Sequence, residues 1–315
     1  MKNQPYRVSQ GIAVQNALKN KLKGLAGTAN AQIVGYGQWT DVVSVSSVGE
    51  SLYNFYGFVC DGVYKDLEDL QTSPKPAKYP ANGVFDRTNT VWVGDVKYKD
   101  ISGPDGVPDG VIDDYDKTNI GSPMPKFTFG WTNTFRYKNF DLSVFINGSY
   151  GNKVYNYLSM KLTHMNSPWT NQLNAVNGRA QLVPINPNKV YEDGTMWYND
   201  VSNVMVANPG ASIPRATIND PNDNDRISDR YIEDGSYIRL KNISLGYTFP
   251  KKTIDKLGLS NLRIYANIQN LLTITGYDGY DPEIGASTSS VNVYGLDNGR
   301  YPSPTVYSFG LNVSF

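Results

Sequence analysis

The sequence is poor in the residues that most chemistry needs. It holds one cysteine, Cys60, and one histidine, His164. A lone cysteine excludes an internal disulfide and a thiolate zinc site. A lone histidine excludes clustered imidazole ligands, so a packed cysteine and a loop histidine are expected. Excess charge of either sign is missing too. The 29 Lys plus Arg balance 29 Asp plus Glu, which gives no reason to expect nucleic acid as partner. No apolar run approaches the ~20 residues of a membrane helix. The leading stretch MKNQPYRVSQGIAV also falls short of the ~7–15 apolar residues of a secretory signal, so the chain as given is expected to carry no export signal. With neither a phosphate-cradling glycine loop nor a Ser/His/Asp set, no enzyme is expected.

Tyrosine is plentiful, at 23, alongside 29 glycines. That mixture suits strands and polar loops better than helices. Residues 1–29 show weak patterning, with a short helix or irregular lead-in around Val14–Leu25, and residues 30–48 read as extended. The stretch 51–64 is aromatic-rich and reads as a short strand within a loop. Residues 65–125 and 151–236 read as long loops.

The clearest strand is KFTFGWTNTFRY, 126–137. Phe127, Phe129, Trp131, Phe135 and Tyr137 share one face, and Thr, Gly and Arg share the other. DLSVFINGSY, 141–150, follows after a hairpin connection. YIRLKNISLGYTF, 237–249, changes phase, which a bulge near Lys241–Asn242 reconciles. NLRIYANIQNLLTI, 261–274, and the closing run 305–315 complete the set.

After residue 137 the connections alternate short, long, short, long. Transmembrane β-barrels place short turns on the periplasmic side and long loops outside. Strands of about 9–11 residues suit a membrane. The expectation is therefore an all-β fold, an antiparallel transmembrane β-barrel segment with long extracellular loops. A soluble all-β carbohydrate-binding sandwich is the alternative. About six convincing strands are fewer than the ~8 of the smallest bacterial barrels, which points to the C-terminal strands of a large barrel or to strands hidden in the first 120 residues.

Several long stretches carry a resemblance in order and spacing. They are VGESLYNFYGFVCDGVYKDLEDLQ, GDVKYKDISGPDGVPDGVIDDYDKTNIGSPMPKFTFGWTNTFRYKNFDLSVFINGSYGNKVYN, SDRYIEDGSYIRLKNISLGYTFP, NLRIYANIQNLLTITGYDGYDPEIG and YPSPTVYSFGLNVSF. Over residues 48–315 the chain resembles the later part of SusC/RagA-type TonB-dependent outer-membrane transporters, and residues 1–47 match less clearly. The resemblance implies a large barrel with a plugged lumen in a Gram-negative outer membrane. It implies uptake of oligosaccharides or peptides, a SusD-like surface lipoprotein as lid, and the TonB complex acting through an N-terminal plug. Plug, TonB box and early strands are not found here, so a fragment, a remnant of a broken gene or one piece of a split transporter is expected.

Two residue sets stand out. In DGVPDGVIDDYD, Asp105, Asp109, Val111, Asp113 and Asp116 fall at positions one, five, seven, nine and twelve of a calcium loop, with Gly110 at the turn position. Val107 at position three and Asp at position twelve depart from that pattern, and a solvated acidic turn is the alternative reading. In the closing strand Tyr307, Phe309, Leu311, Val313 and Phe315 alternate with Ser308, Gly310, Asn312 and Ser314. A terminal Phe on such a strand resembles the signal read by the outer-membrane assembly machinery. Trp169 and Trp197 are candidates for stacking on sugar rings. The Asn/Asp-rich run 219–229 reads as a polar loop. Asp113 with Asp116 and Glu233 with Asp234 are not singled out as glycosidase pairs.

Overall fold

The computed structural model describes residues 6–16, 21–23, 32–37, 41–285 and 293–315. Six strands form one sheet: β1 (Tyr6–Asn16), β2 (Phe127–Tyr137), β3 (Phe140–Tyr150), β4 (Tyr237–Thr248), β5 (Asn261–Thr275) and β6 (Val306–Ser314). Each pairs antiparallel with its neighbour in sequence, with no crossover. This is the meander of a barrel wall. Among the described residues, no strand lies beside the outer edge of β1 or β6. Among the described residues, no helix is long and apolar enough to cross a membrane.

Register puts like residues in rows. Leu142 pairs with Leu245, Leu245 with Ala266, and Ala266 with Phe309. This face stays open: Phe309 is 85 % exposed, and Phe140, Leu245 and Ile264 are also exposed. A sandwich would bury it under a second sheet. The opposite face is polar. There Arg263 reaches Asp141, with Nη2 2.6 Å from Oδ2, across the Gly246 position on β4. A Cβ at Gly246 would strike the Asp141 carboxylate, 2.6 Å from its Oδ1, so glycine leaves the bridge its room. The expected bulge is present. Consecutive Phe145 and Ile146 on β3 pair with Asn242 and Leu240, leaving Lys241 as the extra residue.

Tyr6–Asn16 forms β1, so the expected helix or irregular lead-in around Val14–Leu25 is corrected at Val14–Asn16; residues 1–5, 17–20 and 24–31 lie outside the described ones. The extended stretch 30–48 is a local hairpin, Gln32–Tyr36 with Val42–Ser47, and is not part of the wall sheet.

The long connections are not bare loops. All lie at one end of the sheet, opposite the short turns 138–139 and 249–260. Together they build a packed body. Phe55 from the first connection, Tyr155 and Tyr231 from the second and Leu296 from the third share one apolar cluster. A second cluster joins Tyr64, Leu70 and Trp92 to Ala180 and Val204. Leu70 is delivered by the short helix Leu67–Thr72, whose N-cap Asp66 accepts from the Asp69 N–H at 2.9 Å.

Candidate functional site

The body and the polar face of the wall meet at the third long connection. Arg239 on β4 is 2 % exposed. Its guanidinium bonds Thr273 Oγ1 at 2.9 Å, Glu283 Oε2 at 2.8 Å, and Asp281. The bulged Lys241 also reaches Glu283 Oε2, at 2.8 Å. Asp281 in turn accepts from the Ser303 and Glu283 N–H groups at 3.0 Å. The bulge thus aims a second cation inward, and both ends of the connection are tied to the wall.

A cavity of about 840 Å³ opens between the first and second connections. It is lined by the rings of Tyr56, Phe58 and Tyr155 and by Lys117, Asp225 and Arg226. Lys117 Nζ and the Arg226 guanidinium lie 5.5 and 5.4 Å from the centre of the Phe58 ring. Rings beside charges of both signs suit binding of an amphipathic oligomer, by stacking and by charge-assisted hydrogen bonds.

Beside it sits the lone histidine, in a place the sequence did not show. His164 Nε2 is 2.7 Å from Asp220 Oδ2, and Nδ1 is 3.0 Å from Asp225 Oδ2. A ring with carboxylates on both nitrogens donates from both, which is the charged form. Burial opposes that charge, but the hydrogen bonds to Asp220 and Asp225 outweigh it and hold the pKa at about 9. Burial pushes the Asp225 carboxyl up, and the His164 bond and charge pull it below its usual value. Among the described residues these three form the one set of His, Cys, Asp or Glu ligand atoms mutually within 4.8 Å. A doubly donating ring has no lone pair left for a metal.

The sign of the pH effect follows. The raised histidine pKa contributes stability in full below about pH 6.5, lost as pH rises through about 9. The lowered Asp225 pKa contributes above about pH 3.9 and is lost on further acidification. The Asn224 N–H donates to Asp220 Oδ2 at 2.7 Å and reports on this clamp. Its hydrogen-exchange protection, corrected for intrinsic rate, is expected to fall between about pH 6.5 and 9.5. Constant protection would contradict the clamp.

The run 219–229 is polar as expected, and part of it is buried. Asn222 is 0 % and Asn224 2 % exposed. Asn224 Oδ1 accepts from the Val96 N–H at 2.6 Å, and its amide donates to Asp95 Oδ1 at 3.2 Å. Asp95 is fully buried and bridged by Arg215, with Nε 2.7 Å from Oδ1.

The acidic loop does not gather the five residues of the calcium numbering. Asp105 is exposed in a turn closed by Gly106 N–H to Gly103 O. Asp109 accepts from the Val111 N–H at 3.0 Å, and Val111 pairs with Lys75. Asp113 caps the short helix Asp114–Asp116. Asp116 is buried and spent on backbone: it accepts from Ile101 at 2.7 Å, Ser102 at 3.2 Å and Asp113 at 2.8 Å. No three of these carboxylates meet at one point. Asp100, outside the numbering, accepts from the Gly110 N–H at 2.6 Å and closes the loop. Of the two tryptophans, Trp197 packs against the second apolar cluster, while Trp169 is 92 % exposed.

The closing strand lies where its alternation placed it. Tyr307, Phe309, Leu311 and Val313 are on the exposed apolar face, while Phe315 follows the strand's last residue and is 93 % exposed. Ser260 ties the end down, its hydroxyl donating to Phe315 O at 3.2 Å.

No family model matches the chain. Curated relatives do. TonB-dependent receptor P3 of Formosa agariphila is 32 % identical over 272 residues, covering 85 % of this chain and 22 % of that protein. TonB-dependent receptor SusC of Bacteroides thetaiotaomicron is 29 % identical over 209 residues, covering 65 % of this chain and 17 % of its own length. The chain thus spans about a fifth of the length of these relatives. Among solved structures, the RagAB peptide transporter matches all of this chain and 28 % of its own, with a TM-score of 0.59 at 18 % identity, which shows the fold. Its barrel wall, the curated relatives and the motif order agree: this chain belongs to the SusC/RagA-type TonB-dependent receptors.

Proposed function

We propose that this chain forms barrel wall and extracellular body in an outer-membrane importer of oligomeric nutrients, oligosaccharides or peptides, in a Gram-negative bacterium. One observation carries the reading: a single sheet with an open aromatic face, a polar charged face, and folded connections at one end. The aromatic face suits lipid and the charged face suits a wet lumen. The cavity beside Phe58 offers the imported oligomer rings and charges. A SusD-like lipoprotein would cover the body, and the TonB complex would act through a plug of the kind family members carry. Deleting the gene and following uptake of labelled oligosaccharide and peptide pools tests this. Loss of one pool is expected; unchanged uptake of both would contradict it.

We also propose that the closing strand is the assembly signal. Phe315→Asp places a charge at the membrane interface and is expected to lower outer-membrane abundance several-fold at unchanged synthesis. Immunoblots of membrane fractions check this, and equal abundance would contradict the role.

A further inference from the structure

The open apolar face is not even. In the row Leu142–Leu245–Ala266–Phe309, Ala266 is the short member. A groove of about 530 Å³ opens around it, rimmed by Leu245, Tyr247, Ile264, Phe309 and Leu311. The Phe140 ring, 4.7 Å from that of Tyr247, closes the end nearest the short turns. Phe140 is the first residue of β3, and Tyr247 the last but one of β4. At about 3.3 Å per residue, the groove begins within a few ångströms of the turns.

Those turns are basic. The turn 138–139 carries Lys138, and 249–260 carries Lys251, Lys252 and Lys256 against Asp255 alone. All four lysines are exposed. Ile254, 2 % exposed, pins the second turn to the wall while its lysines point away from the core. Asp141, the nearest acid on β3, is held on the other face by Arg263. An acyl-sized apolar groove thus ends near two turns that carry four exposed lysines, on the periplasmic side.

The geometry points to a binding site for an anionic glycerophospholipid of the periplasmic leaflet. One acyl chain lies over Ala266, and the phosphate sits among Lys138, Lys251, Lys252 and Lys256. Charge complementarity selects this occupant over a zwitterionic lipid, whose own headgroup cation offsets the attraction of its phosphate to the lysines. The site rests on the membrane reading above, and its test separates the two.

The protein is extracted from its outer membrane and placed in nanodiscs of mixed phosphatidylethanolamine and phosphatidylglycerol. Native mass spectrometry then counts retained lipids. Phosphatidylglycerol is expected to be enriched, by about fivefold per engaged lysine, the equivalent of ~1 kcal/mol each. Lys251→Glu with Lys252→Glu should abolish the preference. Ala266→Phe, which fills the groove, should abolish it too, with Ala266→Leu as the milder variant if the first fails to fold. Equal retention of both lipids by the parent protein would overturn the site while leaving the membrane reading intact. Loss on lysine reversal but not on groove filling would also overturn it, because surface attraction alone would then suffice. A parent protein that retains no lipid would overturn both.

Discussion

Arg215→Met is expected to cost the extracellular body about 3–5 kcal/mol, the largest loss any single side chain in that body should show. Asp95 has no water to fall back on: its exposure is 0 %. Burial pushes its carboxyl up, and the Arg215 charge and bond oppose that shift. Removing the guanidinium leaves a buried carboxylate that must take up a proton or open the core. The Trp92 N–H, which donates to Asp95 Oδ2 at 2.8 Å, would lose a charged acceptor at the same time. Hydrogen exchange across residues 91–96 reads the loss as protection reduced by two to three orders of magnitude, on the order of 3–4 kcal/mol. The double variant Asp95→Leu/Arg215→Met should recover part of it, since two apolar groups replace the pair. Recovery stays incomplete, because Asn224 and Trp92 keep donors that pointed at Asp95. Unchanged protection in Arg215→Met would show that the bridge does not hold the body together.

Trp131→Arg is expected to cost about 2–4 kcal/mol of barrel stability, the depth-dependent penalty of a charge near the bilayer midplane. Trp131 stands mid-strand on β2, opposite Ile12 and Ile146 on the apolar face. Thr134→Arg is the control. Thr134 pairs with Ser9 and Ser143, on the face that also carries Arg263 and Asp141. A guanidinium there meets water, so the change should stay within about 1 kcal/mol. Trp131→Leu separates charge from lost ring contact and should resemble the parent. The fraction of folded barrel, read from heat-modifiable gel mobility of membrane extracts, checks all three. Equal effects at Trp131 and Thr134 would contradict the assignment of faces.

The wall was legible because lipid on one side and water on the other write a period of two into each strand. β2 to β6 lie within a residue or so of their expected bounds, and the phase change at Lys241 was visible for the same reason. β1 was not legible: Gln10 interrupts its apolar alternation, opposite Asn133, the one polar residue in the matching row of β2. The stretch 30–48 read as one extended segment, because the two strands of its hairpin share that period.

The body was hidden for a different reason. Its clusters are assembled from residues as far apart as Phe55, Tyr155, Tyr231 and Leu296, each in a segment too short to show periodicity. The polar knot shares that property. His164 meets Asp220 across 56 residues, and Arg215 meets Asp95 across 120. In the acidic loop, the carboxylates were visible but their use was not. Counting from Asp105 overlooked Asp100, whose bond to the Gly110 N–H closes the loop, and backbone donors consumed Asp116.

If one face of the sheet meets lipid and the other meets water, the two faces differ in what can collide with them. Nitroxide labels at each position of β3, in a Cys60→Ser background and in native-lipid nanodiscs, test it most directly. Collision with dissolved oxygen reports lipid, and collision with an aqueous nickel chelate reports water. Oxygen maxima are expected at Leu142, Val144 and Ile146 and nickel maxima at Ser143, Phe145 and Asn147. Uniform aqueous access along β3, or no alternation between the two reagents, would contradict it.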